Sequence, residues 1–187
     1  MKYQSESGWL SGARRLPSPH CNSRPEGCPV DLLVIHCISL PPGEYGGSHI
    51  DDFFLGQLDI DAHPYFAEIA ALRVSAHFLI DRNGRVTQYV PLDRRAWHAG
   101  KSEFCGRGNC NDFSIGIELE GLDTDSYTDA QYRALAEVTA AIRAEYPQIS
   151  RDRITGHSDI APGRKLDPGP DFDWQRYLAL LDEVAAE

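Results

Sequence analysis

The sequence predicts a single α/β domain, 1–187, built on a central mixed β-sheet flanked by helices. Three observations predict it. Leu32-Leu33-Val34-Ile35 is an unbroken apolar run, the pattern of a strand buried on both faces. In Phe113 to Leu119, the residues Phe113, Ile115, Ile117 and Leu119 alternate with Ser114, Gly116 and Glu118, which marks a second strand. Segments with helical spacing are interleaved with such strands, the order of a mixed α/β fold. At 187 residues, 42 % hydrophobic and 25 % charged, the chain is long enough to bury a core and too apolar to stay disordered.

Residues 1–30 read as an irregular N-terminal arm, because 16–30 is rich in Pro, Ser, Asn and Arg. The first buried strand ends at His36 and Cys37. Pro41-Pro42-Gly43 and Gly46-Gly47 force the backbone to turn over 38–47. A short helix follows, with Ile50, Phe53 and Phe54 as its apolar stripe. Asp59 to Arg73 mixes polar, proline and aromatic residues and reads as a loop over a cleft. Ser75 to Ile80 and Val86 to Val90 read as a hairpin. Asn83-Gly84 would be its two-residue turn, since both residues tolerate positive φ. Thr128 and Gln131 form a capping box that opens a helix carrying Leu135, Val138, Ile142 and Tyr146. Pro147 closes that helix. A last helix begins near Asp173, with Trp174, Tyr177, Leu178, Leu181 and Val184 on one side.

Charge and composition exclude several functions. With 18 basic and 28 acidic residues the net charge is −10, which argues against a nucleic-acid partner. No stretch approaches the ~20 apolar residues of a membrane span, so no membrane role is expected. Met1 to Arg15 lacks the apolar core of a secretory signal, and a cytoplasmic address is the expectation. Five cysteines (Cys21, Cys28, Cys37, Cys105, Cys110) are an odd, thin set that suits free thiols better than a disulfide framework. Cys105 and Cys110 could still pair or share a metal.

Seven histidines raise the question of a metal. His36 closes a buried strand just before a glycine-rich loop, where open α/β sheets commonly place functional groups. The segment from Thr155 to Gly169 is a Pro/Gly-rich loop that presents His157, Lys165 and Asp167. Two imidazoles and one carboxylate can hold zinc and leave a fourth position for water. Asp159 competes with Asp167 as the carboxylate, or it caps the loop or orients a ligand. Cys37 is rejected as a ligand, because successive strand residues point to opposite faces. Glu118, flanked by small residues in an apolar strand, is either a general base or half of a salt bridge. His63 and His98 should pack or hydrogen-bond, and His20 and His49 should lie at the surface.

Taken together, these motifs resemble a known family. The blocks Leu33-Val34-Ile35-His36, Ile38-Ser39-Leu40-Pro41-Pro42-Gly43, His63-Pro64-Tyr65-Phe66, Val74-Ser75-Ala76-His77, Arg95-Ala96-Trp97-His98-Ala99-Gly100, Asn111 to Gly121, and Gly156-His157 through Asp167-Pro168-Gly169 are similar to those of the AmpD family. That family comprises cytosolic zinc amidases of cell-wall recycling, 1,6-anhydro-N-acetylmuramyl-L-alanine amidases, on a fold shared with peptidoglycan recognition proteins. The resemblance runs from about Gly8 to Tyr177 in the same order.

It implies that His36, His157 and Asp167 bind Zn2+, that Glu118 is the catalytic acid/base, and that Lys165 stabilises the transition state. It further implies Tyr65, Arg73 and Trp97 as substrate-binding residues. The implied substrate is a muramyl peptide, cut between the lactyl group and L-alanine by a monomer. Cys37 stands where the family usually has Asn, and Asn109 where it has a substrate-contacting Arg. A carboxylate-bearing substrate is compatible with net charge −10, because charges beyond ~8 Å are screened and Arg73, Arg164 and Lys165 can act locally. The alternatives are a non-catalytic muramyl-peptide receptor, which would not need this full residue set, and an autolysin of intact peptidoglycan. A zinc peptidase of unrelated fold is disfavoured by the absence of His-Glu-x-x-His.

Overall fold

A computed structural model describes residues 4–186, so residues 1–3 and 187 of the expected domain lie outside the described residues. Four short strands open the chain: β1 (Ser5–Glu6), β2 (Trp9–Leu10), β3 (Arg14–Arg15) and β4 (Cys21–Ser23). The long strand β5 (Leu32–Ile38) follows, then helices α1 (His49–Phe54) and α2 (Pro64–Ile69). Next come β6 (Phe78–Ile80), β7 (Val86–Gln88), β8 (Arg94–Ala96), β9 (Glu103–Phe104), β10 (Arg107–Gly108) and the second long strand β11 (Ser114–Glu120). Helix α3 (Asp129–Glu145), strand β12 (Ile154–Gly156), one turn of helix α4 (His157–Ile160) and helix α5 (Trp174–Ala186) complete the order.

Six strands form the central sheet in the order β12-β5-β11-β6-β7-β3. All neighbours are parallel except the β6–β7 hairpin, so the sheet is mixed. The continuous apolar run of β5 is explained by its position, hydrogen-bonded on both edges and covered on both faces. Leu33 and Ile35 of β5, with Ile115, Ile117 and Leu119 of β11, pack against Leu135, Val138 and Ile142 of α3 and Tyr177 and Leu181 of α5. The alternate residues Leu32 and Val34 face the other way, toward Ala99, Cys110, Phe113 and Ile160. His36, Ser114, Gly116 and Glu118 follow that second parity, so the sheet has one oily face and one that carries polar groups.

The capping box of α3 forms as expected: Gln131 N donates to Thr128 Oγ1 (3.1 Å), and Thr128 N donates to Gln131 Oε1 (3.1 Å). Three expectations are corrected. The arm is not wholly irregular, because β3 adds to the sheet edge beside β7 and β4 pairs with β8. The stretch from Asp59 to Arg73 is not all loop, because Pro64–Ile69 is helical, with Pro at its first position and the His63 side chain accepting from Tyr65 N. The hairpin turn is not a two-residue turn. Asp81 N donates to Arg85 O (3.0 Å) and Gly84 N to Asp81 O (2.9 Å), and only Gly84 has positive φ (79°), the three-residue loop with a glycine bulge. The Asp81 carboxylate tips the balance by accepting from the Asn83 and Arg85 amides.

Candidate metal centre

Three elements converge at the carboxyl ends of the parallel strands, the usual site of chemistry in an open α/β sheet. His36 comes from β5, His157 opens α4 just after β12, and Asp167 ends the loop that follows. Local bonds shape that loop. Asp159 Oδ2 accepts from Thr155 Oγ1 and Gly156 N, both at 2.9 Å, so Asp159 caps the loop and is not among the converging atoms. Ser158 N donates to Asp167 O (2.9 Å) and closes the loop, which brings the side chains on either side of it together.

His36 Nδ1 lies 2.9 Å from His157 Nδ1 and 3.1 Å from Asp167 Oδ2, and His157 Nδ1 lies 3.0 Å from the same oxygen. Both imidazoles are almost fully buried, at 1 % and 3 % exposure. Burial pushes His36 down to about 4, which favours the neutral ring that a metal requires. Burial pushes the Asp167 carboxyl up, but hydrogen bonding to His157 and His36 outweighs it and holds the group well below the usual range.

The set passes a direct test as a metal site. His157 Nε2 is 3.1 Å from the Ala99 carbonyl, which can only accept, and a longer 3.4 Å from Arg164 Nη2, which already donates to the Ala99 and Lys101 carbonyls; the ring proton therefore sits on Nε2 and Nδ1 presents a lone pair. Facing it are a carboxylate oxygen and a second imidazole nitrogen. A cluster of acceptors at this spacing, buried and short of protons, is what a divalent cation satisfies. Among the described residues these three form the one group so arranged.

A cleft of about 520 Å³ opens over the cluster, and its walls include Glu118, Lys165, Tyr65 and Trp97. Glu118 is 9 % exposed, and its Oε2 has no hydrogen-bond partner. Burial, with Asp167 adding to it, pushes this carboxyl well above the usual range, while Lys165 pulls it back. Among the described residues Glu118 forms no ion pair, so the salt-bridge alternative is not realised there. Tyr65 and Trp97 are half-buried, and Lys165 is exposed. The Trp97 indole donates to Asn22 Oδ1 (3.0 Å) and stacks on His20 with centroids 6.1 Å apart.

Some expected residues lie elsewhere. Arg73 is exposed and turned back on its own loop, donating to the Ala70 and Leu72 carbonyls, and it does not line the cleft. Arg164 does line it, and donates to the carbonyls of Ala99 (2.6 Å) and Lys101 (2.8 Å). Cys37 touches the cleft but packs against the helix-side core, and burial pushes its thiol up to about 12. His20 is buried at 7 % exposure, against the expectation of a surface residue, because its Nδ1 reaches the Val74 carbonyl and its ring meets Trp97. Its place behind Val74 and Trp97, which line the cleft, depends on an arm-to-cleft pairing that no local spacing encodes.

A family model described as N-acetylmuramoyl-L-alanine amidase matches residues 26–170. The protein called 1,6-anhydro-N-acetylmuramyl-L-alanine amidase AmpD in Escherichia coli K12 is 62 % identical over 178 residues, covering 95 % of this chain and 97 % of that one. A crystal structure of a selenomethionine AmpD derivative superposes with a TM-score of 0.92 at 61 % identity, covering 94 % of this chain and 98 % of that one. The E. coli amidase AmiD, solved with anhydro-N-acetylmuramic acid-L-Ala-D-γ-Glu-L-Lys as substrate, is similar at a TM-score of 0.59 and 30 % identity. That match covers 95 % of this chain and 65 % of the AmiD chain.

Proposed function

The chain belongs to the N-acetylmuramoyl-L-alanine amidase family, and from that premise we infer that it hydrolyses the amide between the lactyl group of (1,6-anhydro)-N-acetylmuramic acid and L-alanine in muramyl peptides, in cell-wall recycling. The observation that carries the reading to this chain is the buried His36, His157 and Asp167 cluster at the floor of a cleft that also holds an unpartnered carboxyl oxygen on Glu118.

His36 and His157 through Nδ1, and Asp167 through Oδ2, would hold Zn2+, a donor set of two nitrogens and one oxygen that suits this ion. When bound there, zinc supplies Lewis acidity that polarises a carbonyl and lowers the pKa of water from ~15.7 toward ~7. Glu118 takes a proton from the attacking water and returns it to the departing amine of L-alanine, acting as base and then acid. Its buried setting suits this dual role, because a raised pKa brings the two protonation states closer in energy near neutral pH. Lys165, at the cleft wall, stabilises the oxyanion that grows as the carbonyl becomes tetrahedral. Tyr65 and Trp97 offer aromatic surface for the sugar and peptide.

A role for Arg73 in substrate binding requires its side chain to swing from the Ala70 and Leu72 carbonyls, and Arg164 is the guanidinium already at the cleft. We place the protein in the cytoplasm as a monomer, on the strength of the likeness to AmpD. Among the described residues no helix is long and apolar enough to cross a membrane.

Incubating the purified protein with anhydro-muramyl tripeptide and with intact sacculi, with and without a chelator, tests this by mass spectrometry. Release of the free tripeptide from the soluble substrate, abolished by chelator and restored by zinc, is the expected result. Binding without cleavage would leave only a receptor, and preferential attack on sacculi would make the protein an autolysin.

A further inference from the structure

We propose that His98 is a positioning residue for the metal centre: a one-way hydrogen-bond chain through His98 and Ser114 to the Cys110 carbonyl keeps the His36 proton on Nε2 and its Nδ1 bare. The proposal rests on the reading that His36, His157 and Asp167 hold a divalent metal. It concerns what makes His36 able to do so.

The direction of the chain follows from its last member. A backbone carbonyl only accepts, and Ser114 Oγ lies 2.5 Å from the Cys110 oxygen, so the single hydroxyl proton is committed there. Ser114 Oγ can then serve His98 Nε2, 3.1 Å away, only as an acceptor. His98 therefore carries its proton on Nε2 and offers a lone pair at Nδ1. That lone pair lies 2.9 Å from His36 Nε2, which must donate to it. A neutral imidazole has one N–H, so His36 Nδ1 is left unprotonated, pointing at His157 Nδ1 and Asp167 Oδ2. Reversing the chain would set Ser114 Oγ and the Cys110 oxygen against each other as two bare acceptors.

The surroundings hold the ring in this role. A Cβ on Gly116 would come within 2.5 Å of His98 Cγ and Nδ1, so the ring lies directly on the backbone of β11, in space that only glycine leaves open. Asn111 Oδ1 accepts from the amides of both His98 (3.0 Å) and Ala99 (2.8 Å) and clamps this pair of residues. Ala99 in turn supplies the carbonyl that fixes the His157 tautomer. One dipeptide thus orients both imidazoles, by the side chain of its first residue and the carbonyl of its second. Outer partners of this kind typically change metal affinity about 10–100-fold when removed.

The test compares His98→Leu with His98→Asn, two side chains with the same number of heavy atoms and the same branching at Cγ. Only Asn keeps an acceptor for His36 Nε2. Zinc affinity, measured by competition with a chromophoric chelator, should weaken about 10–100-fold in the Leu variant and recover most of the way in the Asn variant. Wild-type affinity in the Leu variant, or equal weakness in both, would overturn the proposal, since packing alone would then account for His98. A second measurement needs no substitution. Long-range 15N–1H spectra of the zinc-loaded wild type should find protons on Nε2 of both His36 and His98, and a proton on His98 Nδ1 overturns the assignment. If the wild type binds no zinc, the metal reading itself fails. If it binds zinc while the Leu variant binds as well, only the role of His98 fails.

Discussion

Glu118 and His36 are register partners across the parallel pairing of β5 and β11. Their side chains follow the same sheet parity, so ladder hydrogen bonds between two buried strands set their spacing. The acid/base group and one proposed ligand are therefore placed by two paired strands inside the central sheet, which favours a precise site.

That placement predicts a pH signature for Glu118. Burial raises its carboxyl above the ordinary value of about 4.3 in the metal-free protein, where NMR titration should therefore place Glu118 above the ordinary carboxylate range. Glu118→Gln should abolish turnover while zinc stays bound. The sign for stability is the opposite. An acid whose folded pKa is raised contributes stability that is lost as pH rises through that pKa, so near pH 7 the metal-free Gln variant should melt higher than the metal-free wild type. An unchanged or lower melting temperature would mean that the folded protein does not disfavour the Glu118 carboxylate.

Lys165→Ala should keep zinc and lose about 100- to 1,000-fold in kcat, the usual effect of removing one oxyanion donor. Because Lys165 lowers the Glu118 pKa, its removal should also move the acidic limb of kcat/KM upward. Kinetics across pH, with zinc content measured in parallel, read both effects. Full activity in this variant would remove lysine from the mechanism.

Asp167→Ala should lose metal together with activity, yet remain folded. The backbone bond from Ser158 N to Asp167 O closes the loop without the side chain, and Asp159 still holds Thr155 and Gly156. Elemental analysis after dialysis against micromolar zinc checks this, and stoichiometric zinc in the variant would exclude Asp167 as a ligand.

Much of this arrangement is legible in the residues. The run Leu32–Ile35 announces a strand with two covered faces, and Thr128 with Gln131 announces the start of α3. His36, His157 and Asp167, far apart in sequence, become a set through the order of the motifs around them, and the fold does bring them together. Other features have no local signal. The arm strands β3 and β4, of two and three residues, are too short to have a period, and their pairing depends on β7 and β8. His98 is expected to pack or hydrogen-bond, and it does, but nothing beside it names its partners, because His36 and Ser114 are 62 and 16 residues away. The turn at Asp81 to Arg85 was settled by a side chain competing for backbone amides, which a dipeptide rule does not weigh.

His77 makes the fold acid-sensitive in a defined window. Its Nδ1 accepts from Gly116 N (3.1 Å), so its proton sits on Nε2, which reaches the Arg94 carbonyl (3.1 Å). Burial, with the nearby Arg24 guanidinium adding to it, pushes the ring down to about 3. In the unfolded chain the ring titrates near 6.5. A group whose folded pKa is depressed contributes stability above its unfolded pKa, and that stability falls away as pH drops from about 6.5 toward 3. His77→Gln keeps an acceptor for Gly116 N and a donor for Arg94 O but cannot take up a proton. Between pH 7 and pH 5 it should therefore lose less stability than the wild type, by about 1–2 kcal/mol. Urea unfolding of both proteins at the two pH values measures this difference, which cancels the effects of histidines common to both. An equal loss in the two proteins would show that His77 is protonated within the folded state.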